Sequence, residues 1–184
     1  MTQKTFYKKE MIVEAAFQLT RESGWSAVTA RTIAQKLGSS TMPVYSSLKS
    51  MDEVERAVRG RAEALMHDCQ KRRFTGEPLL DSAVGYVAFA RDERRLFRFL
   101  YEDRPAPASA AGRSADVQAV GGVVDLADQA ATAMADERVL KSWAFAHGLA
   151  SLISSGVLDL PDTTIARLLS EMGLAIYGQG GGNG

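Results

Sequence analysis

Ser40, Thr41, Met42, Tyr45 and Ser46 crowd hydroxyl groups and one thioether into a single short run, SSTMPVYSS. Hydroxyls donate to or accept from base edges and phosphate oxygens, and the apolar atoms of Thr or Met can meet a thymine methyl. This is the chemistry of recognition rather than of bond breaking. For catalysis the chain offers little: it lacks GxxxxGK, GxGxxG, GxSxG and HExxH, and His67 and His147 are its only imidazoles. His67 and Cys69 stand two apart on a predicted helix, so they point to different sides and make a poor metal pair. With Cys69 the single cysteine, neither an intramolecular disulfide nor a cysteine-based zinc cage can form. The residues therefore predict a non-enzymatic protein with no metal and no cofactor, in a reducing compartment.

The run Ile33 to Leu48, IAQKLGSSTMPVYSSL, supplies the frame that would present those hydroxyls. Ile33, Ala34 and Leu37 share one helical face, and Gly38 follows where a helix end needs a residue tolerant of positive φ. Ser40 offers a cap to the next helix. Pro43 biases Met42 away from helical geometry, which would start that helix a residue later. Val44 and Leu48, four apart, turn it inward and leave Thr41, Met42, Tyr45 and Ser46 outside. Two short helices joined by one tight turn make a helix-turn-helix, a device for laying a helix in the major groove.

Helical periodicity dominates the remainder, so the fold class is all-α. Ile12, Ala15, Ala16 and Leu19 form an i, i+3, i+4, i+7 stripe, predicting a first helix from about Tyr7 to Ser23, stopped by Gly24. Thr29 is placed to cap the second helix. Ser50 should cap the fourth, which begins MDEVERAV and runs to about Arg73, with Asp52 and Glu53 where the helix dipole favours acids. Val54, Ala57, Val58 and Leu65 give it a buried side. Thr75 to Pro78 break the pattern. Beyond them come a helix through Leu80, Ala83, Val84 and Val87, and a short aromatic one through Leu96 to Tyr101. A loop follows from Arg104 to Ser114, then a weak helix of small residues from about Asp116 to Ala135. The domain reading is a helix-turn-helix head at 1–50, a connector helix at 51–75, a helical body at 76–177 and a disordered tail at 178–184.

Net charge is zero over 184 residues, but it is unevenly spread. Residues 1–73 hold 13 Lys and Arg against 8 Asp and Glu, and residues 74–184 hold 9 against 14. A basic head on an acidic body suits a phosphate-facing module joined to one that avoids phosphate. No window approaches a membrane span, and MTQKTFYKKE lacks the apolar core of a signal peptide, so a cytoplasmic protein is expected. From Asp136 to about Ser155 the helix is apolar nearly all round, and after Pro161 a second helix carries its own stripe. Phe145, Leu149, Leu152, Ile165, Leu168, Leu169, Met172 and Ile176 exceed what one body core easily absorbs, which predicts a homodimer through these two helices. Tyr86, Phe89, Phe97, Tyr101, Trp143 and His147 are candidate liners of a pocket for an apolar or aromatic small molecule.

Over Met11 to Val54 the chain resembles the TetR family of one-component bacterial regulators, all-helical homodimers with a DNA-binding head and a ligand-binding, dimerising body. Ile12 with Ala15 and Ala16, Gly24, Thr29, Ile33 and Ala34, Leu37 and Gly38, Ser40, Val44 and Tyr45, and Asp52 and Glu53 stand at that family's spacings. The resemblance implies that Tyr45, Thr29 and Arg31 contact phosphates and that Thr41, Met42 and Ser46 approach base edges of a double-stranded operator. It also implies a small-molecule effector, and with it repression relieved by ligand. Two positions depart: Leu48 replaces a common Phe, and Met51 a common phosphate-binding Lys, for which Lys49 could substitute. The Met51 departure leaves an alternative, a helical interaction adaptor whose head has lost DNA binding.

Overall fold

A computed structural model of the chain describes residues 8–42, 44, 50–102 and 137–178. The expected loop from Arg104, the small-residue helix from Asp116 and the tail beyond Gly178 lie outside them. The described residues are helices and the turns between them, with no strand, and the protein is all-α.

By its own contacts the chain divides into two units. The first holds the described residues up to Ala62 together with Arg95 to Glu102. Its α1 spans Lys9–Ser23, followed by a 3₁₀ turn at Trp25–Ala27, then α2 at Ala30–Leu37 and the first part of α3, Met51–Gln70. Ile12, Ala15 and Ala16 are buried as the stripe predicts, while Leu19 is only half-buried and Phe17 and Thr20 complete the buried face. Gly24 ends α1 at φ 83°, a value that strains any side-chain-bearing residue. Ser50 caps α3, its hydroxyl accepting the Glu53 N–H at 3.2 Å. Val54, Val58, Ala62 and Met66, each four apart, form the fully buried row of α3, and Leu65 is half-buried.

The first unit also claims α5, Arg94–Tyr101, except for its first residue. The sequence reading places this helix in the body, and its aromatics explain the difference. The Trp25 ring lies 5.1 Å from that of Phe99, whose face carries the Arg59 guanidinium at 4.5 Å, and Arg59 also donates to the Leu100 carbonyl at 3.1 Å.

The second unit contains Glu63 to Arg94 and Glu137 to Gly178. In it α4, Pro78–Asp92, packs against α6, Glu137–Ser154, and α7, Asp162–Tyr177. Every residue of α4 from Val84 to Ala90 is buried, so this helix forms the unit's centre. Asp81 anchors its start, its carboxylate accepting the N–H groups of Phe74 at 3.0 Å and Thr75 at 2.6 Å, the Thr75 hydroxyl at 2.8 Å and the Gly76 N–H at 3.2 Å. Burial alone would push this carboxyl up, but bonds from Thr75, Phe74 and Gly76 hold it below its ordinary value. At the other end Arg91 bonds Asp162 at 2.6 Å and the Leu160 carbonyl at 3.2 Å, fixing where α7 begins.

Candidate functional site

The start of α2 is built by two threonines. The Thr29 hydroxyl accepts the Thr32 N–H at 3.1 Å, and the Thr32 hydroxyl accepts the Thr29 N–H at 2.9 Å and donates to the Ala27 carbonyl at 2.9 Å. The two hydroxyl oxygens also lie 3.1 Å apart, within hydrogen-bond distance of each other. The N–H groups of Ala30 and Arg31 stand at the open, electropositive end of the helix. Thr32 was not singled out in the sequence because Glu or Gln, not Thr, is the usual partner three residues after a cap. Arg31 is exposed and makes no ion pair among the described residues. Three other cations of this unit are paired: Lys36 with Glu22 at 2.9 Å, Lys9 with Glu53 at 2.8 Å, and Arg61 with Glu14.

At its far end α2 closes as the sequence requires. Gly38 adopts φ 63°, the Ser39 N–H reaches the Ala34 carbonyl at 2.9 Å and the Gly38 N–H reaches that of Gln35 at 3.1 Å. Helical backbone resumes at Met42, and the Thr41 carbonyl accepts the Val44 N–H at 3.1 Å. Thr41 rather than Ser40 therefore occupies the position just before the second helix, which corrects the Ser40 cap and agrees with the start one residue later that Pro43 implies. Ser40, Thr41 and Met42 are all exposed, Met42 to 76%, while Val44 is buried. A large apolar side chain held this far out of the core is placed for contact with something else. Tyr45, Ser46 and Lys49 lie outside the described residues.

Of the six expected pocket residues, four belong to the second unit and two to the first. In the second unit the Tyr86 hydroxyl meets His147 Nδ1 at 2.8 Å, and Trp143, one turn before His147, stacks on the imidazole with ring centroids 5.1 Å apart. Tyr86 is buried and Trp143 exposed, so these three residues run from the interior of the unit to its surface. Phe89 is wholly buried on α4. Phe97 and Tyr101 belong to the first unit, where their rings pair at 4.9 Å. The sequence offered all six as aromatic or imidazole candidates without showing which element each would serve.

The expected dimer residues also separate. Leu149, Ile165 and Leu169 are buried within the single chain and cannot form a contact surface, which corrects their assignment. Phe145, Leu168, Met172 and Ile176 are half-buried, and Leu152 is 45% exposed. The outward row of α6 is Leu140, Ala144, Gly148 and Leu152, four apart and all exposed, and α7 adds Leu174 and Tyr177. Among the described residues, a β-carbon added at Gly148 would meet no atom within 4 Å beyond its own helix backbone.

Residues 79–174 match a family model described as the tetracyclin repressor-like C-terminal domain. The chain belongs to the TetR family. It is a transcriptional regulator of TetR type. Among curated relatives, an uncharacterized HTH-type transcriptional regulator of Mycobacterium tuberculosis (strain ATCC 25618 / H37Rv) is 26% identical over 165 residues, covering 84% of this chain and 74% of that protein. Two solved structures from Rhodococcus sp. RHA1 share the fold. One is a TetR-like transcriptional regulator with TM-score 0.63 and 17% identity, covering 98% of this chain and 100% of that one. The other is a protein of unknown function with TM-score 0.66 and 20% identity, covering 95% and 98%.

Burial pushes the Cys69 thiol up, against the opposing pull of Arg72, so the sulfur is held protonated and weakly nucleophilic. Among the described residues no cluster of His, Cys, Asp and Glu is arranged to hold a metal ion, and no helix is long and apolar enough to cross a membrane.

Proposed function

We propose that this protein is a cytoplasmic repressor that binds a pseudopalindromic operator as a homodimer and releases it when a small molecule enters the body. The observation that carries the reading is the head's arrangement of donors. Thr29, the open N–H groups of α2 and Arg31, which makes no ion pair among the described residues, form a phosphate seat at the start of α2, and the exposed Ser40, Thr41 and Met42 follow its far end. Phosphate contacts there would set the register in which Thr41, Met42 and Ser46 meet base edges, with Tyr45 and Lys49 adding backbone contacts.

Dimerisation is supported by the outward row Leu140, Ala144, Gly148 and Leu152 with Leu174 and Tyr177. Small residues in the middle of the row let a second helix approach closely, and larger apolar groups at its ends gain burial. Tyr86 and His147 offer an effector a hydroxyl and an imidazole, with Trp143 as an aromatic neighbour. An effector works only by its differential affinity for the two arrangements of the heads.

The test is an anisotropy titration against duplexes from the gene's own upstream region, with sedimentation of the free protein in parallel. The reading expects a dimer at micromolar concentration and one preferred site, bound less tightly as salt rises. A monomer with no sequence preference on any duplex would instead describe the interaction adaptor.

A further inference from the structure

A cleft of about 420 Å³ lies in the first unit, lined by Ser23, Gly24, Trp25, Ser26, Arg95 and Arg98. It shares no residue with the α2 seat or with the Tyr86 and His147 pair, and none of the expected DNA-contacting residues lines it. Arg95 and Arg98 are three apart on α5, so their guanidinium groups share one face and repel each other there. Arg95 donates to the Glu22 carbonyl at the end of α1, and with further N–H groups on the same guanidinium it has donors left for a guest. Arg98 adds a second positive charge while its Nε holds Glu102 at 3.2 Å. The nearby Glu22 carboxylate is already held by Lys36.

Ser23 and Ser26, which flank Gly24 and Trp25, add two hydroxyl side chains to the lining. Trp25 supplies an apolar surface, and its ring is fixed by Phe99, which in turn is backed by Arg59. Two cationic forks, two hydroxyls and one rigid indole within a cleft of this volume select a particular guest. We propose that the cleft binds a small organic anion, a phosphate- or carboxylate-bearing molecule whose apolar part rests on Trp25 while Arg95 and Arg98 take its charge. The anionic group could come from a free metabolite or from the DNA backbone, and the proposal commits to the free molecule.

Trp25 is itself the reporter, because the chain has only one other tryptophan. In full-length protein carrying Trp143→Phe, phenyl phosphate is titrated at constant ionic strength while tryptophan emission is followed. The proposal expects saturable quenching, displaced by pyrophosphate. Arg95→Ala and Arg98→Gln should each raise the midpoint ~10-fold or more, the scale of one lost charge-assisted hydrogen bond. Arg167→Gln, a change on α7, should leave it unmoved. Circular dichroism checks each variant's helicity, and Arg98→Gln decides the matter if Arg95→Ala fails to fold. Emission that follows ionic strength without saturating, or midpoints unchanged in both arginine variants, would overturn the site. Displacement of phenyl phosphate by a random duplex at equal phosphate concentration would overturn it too, assigning the cleft to the DNA backbone.

Discussion

Gly85→Ala sets two general rules against each other at one atom. Gly85 lies inside α4, where alanine is favoured over glycine by about 1 kcal/mol on helix propensity alone. A β-carbon at this position would stand 2.6 Å from the Gln70 Cα and 2.7 Å from the Cys69 carbonyl carbon, with the Cys69 carbonyl oxygen nearer still. All three obstacles are backbone of α3, so no rotamer change relieves them and the two helices must move apart. Overpacking in a buried contact costs roughly 1–3 kcal/mol, and a clash with backbone belongs at the upper end. The net expectation is a loss of about 2 kcal/mol, or a melting temperature lower by ~4–8 °C for a chain of this size. Gly60→Ala is the internal control: Gly60 is exposed inside α3 and its added β-carbon would meet nothing, so the same substitution should raise stability by up to ~1 kcal/mol. Calorimetry on both variants reads the two signs directly. A Gly85→Ala protein as stable as the parent would refute the close approach of α3 and α4.

Other consequences are equally concrete. Arg31→Ala should weaken operator binding by a similar factor on every sequence and, with one phosphate lost per head, flatten the slope of log K against log salt by ~1.8 for the dimer, measured by anisotropy at several salt concentrations. Leu152→Arg should yield folded monomers. With nearly half of Leu152 still exposed in one chain, a symmetric interface gains about 1 kcal/mol from each copy, so sedimentation should show dimer affinity down ~30-fold before the unpaired charges are counted. Asp81→Asn should lower the melting temperature at neutral pH. Because the folded carboxyl is held below its ordinary value, its contribution is present above about pH 4 and is lost as pH falls through the lower, folded value. The gap between parent and variant should therefore close on acidification, and a gap that widened would show the sign to be wrong.

What the sequence made legible follows from how local each signal is. The caps at Thr29 and Ser50 and the turns at Gly24 and Gly38 depend on a few adjacent residues and on glycine's freedom at positive φ, so they could be read directly. For the helix after Gly38, Ser40 and Thr41 are equally good caps, so composition alone favours neither, and the later start at Met42 was legible only through Pro43. Placement of α5 was harder. Its aromatic stripe says that it is buried but carries no address, and the partner that claims it, Trp25 with Arg59, is distant in sequence.

The same argument explains why the body's sites were less legible than its helices. On α6, Leu152 and Ile153 are adjacent and chemically alike, yet Ile153 is fully buried and Leu152 is 45% exposed. Periodicity gives α6 two apolar sides, but choosing which one meets α4 and α7 takes a difference in packing, not in hydrophobicity. That difference lies in the small residues. The row Leu140, Ala144, Gly148 and Leu152 has its bulk at the ends and its small groups in the middle, so it gives the chain's own core little to fill space with. The row with Leu149, Ala150 and Ile153 fills that core instead. A helix whose outward side is both apolar and low-profile is shaped for a close neighbour, and in the homodimer we propose that neighbour is the same row on a second copy.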